Sequence, residues 1–278
     1  MRSVNNTFHL INDGTIKYDG GAFFGQLPKT VWEKYIKPDR WNRINLGLNS
    51  LVIKTDSGNV LINTGVGNKN ISNIKERYGL ARSKLLNGLK EIDLLAKDID
   101  FVILTQLQFD HSGGCTKIDR SGKPMPVFPK AKYVIQKSCW DYSMNPGVRN
   151  KHYYNTQDFL CLDEAGQLMI VEGEKQILPG VKVKETGGYC IGHQVVQIES
   201  GGDKVVFSGN LIPTSFNIEL DCISSYDQFP EETLVQKRKI IDTAIKEGWL
   251  LVFAYGSNHK AGYLEEREGR VSFRPVKI

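Results

Sequence analysis

The sequence predicts an α/β protein built as a four-layer αββα sandwich, and three observations carry that reading. Short runs of β-branched and other apolar residues, at Phe101–Leu104, Lys204–Phe207 and Leu250–Phe253, read as buried strands. Apolar residues recur at helical spacing over residues 81–98 and 231–247. Hairpin-like segments are followed by strand–helix units, and the succession occurs twice, as two sheets with outer helices require. Composition adds little, since 40% apolar and 24% charged residues are ordinary for a globular chain.

In chain order, Phe8–Asn12 and Thr15–Tyr18 flank Asp13-Gly14, a turn signal that predicts an opening β-hairpin. Residues 20–28 form a glycine-rich apolar loop in which Phe23 and Phe24 are candidates to close over a ligand. Pro28 then opens a short helix carrying Val31, Trp32, Tyr35 and Ile36. Asn49–Asn63 reads as two strands around Asp56–Asn59. Leu85, Leu86, Leu89, Ile92, Leu94 and Leu95 mark the 81–98 helix, which leads into the Phe101 strand. Lys132–Gln136 reads as a strand, Ser138–Tyr142 as a short helix and Asn145–Phe159 as a long loop. Strands at Val181–Lys184 and Gln194–Ile198 enclose Thr186–His193. Glu231 and Glu232 sit where the first turn of the last helix is placed.

Length and charge bound the function. At 278 residues the chain can bury one large core, and a single domain over 1–278 is expected. The net charge of +5 is mild and the basic residues are scattered, with no basic stripe interleaved with aromatics, so no nucleic-acid partner is expected. No apolar run is long enough to span a membrane. Met1–Asn6 lacks the apolar core of a signal peptide. The five cysteines are widely spaced with no Cys-x-x-Cys pair, which argues against a disulfide framework and for a reducing cytoplasm. Oligomeric state is not legible.

The chain is organised around Phe101–Gly114. Its strand breaks into a polar turn carrying Gln106, Gln108, Asp110 and His111, followed by Gly113 and Gly114, and α/β folds place their chemistry at such strand ends. Polarity alone would leave Gln106 and Gln108 as solvated loop residues. The stretch resembles the His-x-His-x-Asp-His-x-Gly-Gly loop of the metallo-β-lactamase superfamily, matching at Asp110, His111 and both glycines. Three further segments resemble the family in the right order: Asn63-Thr64-Gly65, Thr186–His193 and Ser208–Thr214. The likeness is nearest to the lactonase-like branch, which includes N-acyl-homoserine lactonases.

The resemblance implies a site for two metal ions at seven positions, five of which differ here. The two leading histidines fall on Gln106 and Gln108, a third on Tyr189, the bridging aspartate on Asn210 and the last histidine on Tyr255. The aspartate that orients the metal site falls on Asn63. His193 matches a histidine that is not a ligand. Neutral amides are poor zinc donors, and removing acids at 63 and 210 removes repulsion that no cation would offset. The expected site is therefore rebuilt to work without metal, on a hydrolase-like scaffold that takes a small-molecule ligand or substrate.

Four functions follow from that expectation. One is a ligand-binding pseudoenzyme or sensor. A second is a metal-independent enzyme in which His111 acts as general base oriented by Asp110, with Tyr189 or Tyr255 donating to an oxyanion. A third holds iron on Asp110, His111, Tyr189 and Tyr255, a hard donor set. The fourth is a conventional metal-dependent hydrolase, which the shortage of histidine argues against. In the first two no cofactor is expected. Asp110, His111, Tyr189 and Tyr255 are the candidate catalytic residues. Gln106, Gln108, Asn210, Phe23 and Phe24 are the candidate ligand contacts.

Overall fold

The computed structural model describes residues 6–69, 71–80 and 82–278. Residues 1–5, on which the reading of a missing signal peptide chiefly rests, lie outside the described residues, as does residue 81 at the head of the expected 81–98 helix.

Strands β1 (Thr7–Asp19), β2 (Arg43–Thr55), β3 (Gly58–Ile62), β4 (Phe101–Ile103), β7 (Lys132–Gln136) and β8 (Leu168–Val171) pair in that order as one sheet. A small ribbon joins β5 (Thr116–Ile118) to β6 (Pro124–Pro126). The second large sheet holds β9 (Glu174–Leu178), β10 (Val181–Glu185), β11 (Gln194–Ser200), β12 (Asp203–Phe207), β13 (Leu250–Val252), β14 (Ala261–Arg267) and β15 (Arg270–Val276). β3, β4, β7 and β8 run parallel, as do β12 and β13; the other pairings of the two large sheets are antiparallel.

Alternation along the strands builds the layers. Ile53, Ile62, Ile103 and Val134 of the first sheet meet Val183, Val196, Phe207 and Val252 of the second in a central core. The opposite face of the first sheet, through Val52, Leu61, Val102 and Tyr133, packs on Leu85, Leu89, Cys139 and Leu162. The opposite face of the second, through Val195, Val206 and Leu251, packs on Ile240, Ile241 and Ala244 of the helix Pro230–Glu247. The αββα expectation is met.

Several local expectations are corrected. Asp13-Gly14 does not turn the chain; β1 runs on as one strand along β2, with a bulge between Asn12 and Thr15. The bulge turns buried Asp13 inward, where it accepts from the Ser83 hydroxyl and from the N–H groups of Lys84 and Leu85, tying down the start of the helix Leu85–Glu91. The 81–98 helix is that shorter element followed by a 3₁₀ turn at Ala96–Asp98. Residues 20–24 form a short helix capped by Asp19 rather than an open loop. The terminal β14–β15 hairpin was not anticipated, because most of β15 is exposed and carries no apolar rhythm.

Candidate functional site

The sheets place their carboxyl ends together. β3 runs out at Asn63, β4 at the 104–108 turn, β10 at Thr186, β12 at Ser208-Gly209-Asn210 and β13 shortly before Tyr255. Two adjacent glycines lock this end. A Cβ on Gly113 would meet the Val66 carbonyl oxygen at 2.2 Å, and one on Gly114 the Thr64 carbonyl oxygen at 2.1 Å. Only glycine lets the two loops touch, and the Thr64 N–H then reaches the His111 carbonyl at 2.8 Å. Tyr255 is delivered across the sandwich: its carbonyl accepts from Gly47, and Asn49 donates to the carbonyls of Phe253 and Gly256.

Asp110 and His111 are each 2% exposed. The Tyr18 hydroxyl donates to Asp110 Oδ2 at 2.6 Å, and the Tyr255 hydroxyl donates to the same oxygen. His111 Nε2 lies 3.1 Å from the Tyr255 hydroxyl, and His111 Nδ1 lies 2.8 Å from Asn63 Nδ2. Asn63 Oδ1 accepts from the Thr105 N–H and hydroxyl. Asp110 Oδ1 has no hydrogen-bond partner among the described residues and stands 3.9 Å from His111 Nε2. Burial pulls the His111 imidazole below its ordinary value, against the opposing pull of Asp110. Burial, with Asp110 close by, pushes the phenols of Tyr18, Tyr189 and Tyr255 well up, so all three stay protonated donors.

Gln106 and Gln108 are buried, not solvated. Gln106 Nε2 and the Tyr189 hydroxyl both donate to Gln108 Oε1, at 3.2 and 3.0 Å, and the Cys190 thiol faces Gln106 Oε1. On the other side, His193 Nε2 accepts from the Asn210 N–H at 3.1 Å, and Nδ1 lies 2.7 Å from the Thr186 hydroxyl. Asn210 Oδ1 is buried with no hydrogen-bond partner among the described residues, and its side chain bears on His111, Tyr189 and Tyr255.

A cavity opens beside this network, walled by Tyr18, Phe23, Tyr153, Tyr189, Tyr226 and Tyr255, with Asn210, Asn217 and Asp227 also facing it. Its volume is about 20 Å³, room for roughly one water. Phe23 lines the cavity; Phe24 is stacked on Trp32 in the core and does not. Tyr18 and Tyr226 were missed by sequence reasoning. Tyr18 reads as one more residue of a strand, and nothing local signals a partner 92 positions away.

As arranged, these residues do not fit a two-zinc centre. No group of three or more His, Cys, Asp or Glu side chains among the described residues is placed to hold a metal ion. The nearest remaining donors are amides and protonated phenols, which zinc takes poorly, and the Tyr189 hydroxyl is turned to Gln108 rather than to Asp110.

Residues 45–263 match the Metallo-beta-lactamase superfamily. An N-acyl homoserine lactonase AiiA of Bacillus thuringiensis subsp. kurstaki is 22% identical over 226 residues, 76% of this chain and 82% of that protein. A solved structure described as a probable metal-dependent hydrolase from Staphylococcus aureus superposes with a TM-score of 0.90 at 29% identity, covering 100% of this chain and 99% of that one. AidC, described as a dizinc quorum-quenching lactonase, shares the fold at a TM-score of 0.81 and 18% identity, over 100% of this chain and 97% of that one. The chain belongs to the metallo-β-lactamase superfamily, with lactonases among its relatives.

Proposed function

We propose that the protein is a metal-independent member of its superfamily that takes a small molecule into the tyrosine-walled cavity, as a binding protein or sensor on a hydrolase scaffold. The hydrogen-bond network at Asp110 carries this reading. The hydroxyls of Tyr18, Tyr255 and Tyr189 are all engaged on Asp110 or Gln108, which leaves no free acid for an oxyanion. The cavity is mostly aromatic, which suits a ligand with an apolar body. Its narrowness means that side chains must move to admit one. The relatives make acyl lactones and their ring-opened acids the first ligands to try.

The reading that places iron on Asp110, His111, Tyr189 and Tyr255 needs four converging donors. Against it, Tyr189 points to Gln108 and the phenols resist ionisation. We place the protein in a reducing compartment, in keeping with its five free cysteines; among the described residues no helix is long and apolar enough to cross a membrane.

The test starts with protein purified without chelators. Metal analysis should give well under one ion per chain, and zinc, iron or manganese should leave the melting temperature unchanged. N-acyl homoserine lactones, their ring-opened acids and acyl thioesters are then screened by thermal shift and for hydrolysis. At a hundredfold excess over Kd a ligand adds about 2.7 kcal/mol of stability, a readable shift. Two tightly held ions with chelator-sensitive hydrolysis would overturn the proposal in favour of a conventional hydrolase. One iron with a visible charge-transfer band would overturn it in favour of the iron reading. Metal-free turnover that vanishes in His111→Gln would replace the sensor with an enzyme, and a panel-wide absence of stabilisation would count against binding.

A further inference from the structure

The imidazole of His111 can carry its proton on either nitrogen, and the surrounding hydrogen bonds leave only one choice. The Thr105 backbone N–H can only donate, and it reaches Asn63 Oδ1 at 3.0 Å. That fixes the orientation of the Asn63 amide, so its NH₂ group faces His111 Nδ1 at 2.8 Å. Nδ1 must then accept, and the proton of the neutral ring sits on Nε2. From the Asn63 amide, donors therefore run one way, through His111 Nε2–H to the Tyr255 oxygen and through the Tyr255 hydroxyl to Asp110 Oδ2.

We infer that Asn63 is a positioning residue that holds His111 with its proton on Nε2, so that a proton rather than a lone pair faces Tyr255 and Asp110. This deepens the metal-independent reading and rests on it. A lone pair on Nε2 would require a proton on Nδ1, set donor-to-donor against the Asn63 amide, with the loss of a buried hydrogen bond. His111 is thereby unsuited both to ligate a cation and to act as a base through Nε2.

His193 supplies an internal standard. The Asn210 backbone N–H donates to its Nε2, so its proton must lie on Nδ1, facing the Thr186 hydroxyl. The two buried imidazoles are opposite tautomers.

The experiment is a long-range ¹H–¹⁵N spectrum of the full-length protein labelled at histidine, near pH 7.5, with His111→Gln and His193→Gln used for assignment. His111 should give the Nε2–H pattern and His193 the Nδ1–H pattern. A His111 ring protonated on Nδ1 in the wild type overturns the inference, whether or not any variant folds. Asn63→Asp keeps an acceptor for Thr105 and tolerates the left-handed backbone at this position (φ 60°), and it should move the proton to Nδ1. An Asn63→Asp protein that keeps the Nε2–H pattern also overturns it. Neither spectrum involves the small-molecule ligand, so failure of the ligand screen and failure of this inference are read separately.

Discussion

His111 lies in the short helix Phe109–Ser112 that follows β4 of the first sheet and His193 directly before β11 of the second; both are shut away from water, and they are held by different kinds of partner. His193 receives its hydrogen bond from the backbone N–H of Asn210, which any residue but proline would supply. His111 receives its own from the side chain of Asn63, which a single substitution can remove or invert. The His193 half is thus fixed by the path of the chain. The His111 half is set by residue choice.

The largest test of this contrast is acid. Burial holds His193 down to about 3. An unfolded imidazole takes its proton near 6.5 while the folded one does not. The stability this contributes is complete above pH 6.5 and is lost as pH falls towards 3, by about 1.4 kcal/mol per unit and about 5 kcal/mol in all. His111 is lowered too and adds in the same direction. Asp13, Asp158 and Asp227, raised by burial, work the other way once pH nears their own range. Urea unfolding from pH 7 to 5 should show the decline, and histidine ¹⁵N shifts should keep His193 neutral throughout. Protonation of His193 near 6.5 in the folded protein would break the comparison.

Next in size is Gly209→Ala. The residue has φ 56°, and a Cβ there would meet His193 Nε2 at 2.6 Å and Thr105 Cβ at 3.2 Å. We expect a loss of about 3 kcal/mol; a loss under about 1 kcal/mol would show that the backbone-held half gives way after all. On the other side, Asp110→Asn takes the charged acceptor from two phenols and sets an amide donor against His111, costing about 2 kcal/mol. An unchanged or higher denaturation midpoint would mean that burying the carboxylate costs more than its bonds return. The smallest effect belongs to Tyr18→Phe, about 1 kcal/mol, because Asp110 keeps the Tyr255 hydroxyl. A loss equal to that of Tyr255→Phe would show that the two phenols are interchangeable, and that Tyr255 has no special place between His111 and Asp110.

Much of the fold was legible because it follows from local pattern. The strands at Phe101, Lys132, Gln194 and Lys204 and the helix at 230–247 show their period or their apolar run directly. The β14–β15 hairpin was not legible, since an exposed edge carries no such rhythm. Asp13-Gly14 misled because a bulge and a turn draw on the same residues, and only the pairing partner β2 distinguishes them. Polarity alone would leave Gln106 and Gln108 wet in their turn; only the structure brings Tyr189 and Cys190 from the other sheet to cover and satisfy them.

What the sequence by itself determined was the scaffold and the residue types set upon it. The glycine motifs, the main apolar strand runs and the polar residues at the strand ends can be read in one dimension, because each depends on residue type at fixed spacing. Only the tertiary structure decided which way the hydrogen bonds run. That Tyr18 from the first strand and Tyr255 from beyond the thirteenth share one carboxylate oxygen, and that Asn63 presents its amide rather than its carbonyl to His111, depend on groups 48 to 145 residues apart. The direction of a hydrogen bond is set by which atoms meet, and no local pattern in the chain encodes that meeting.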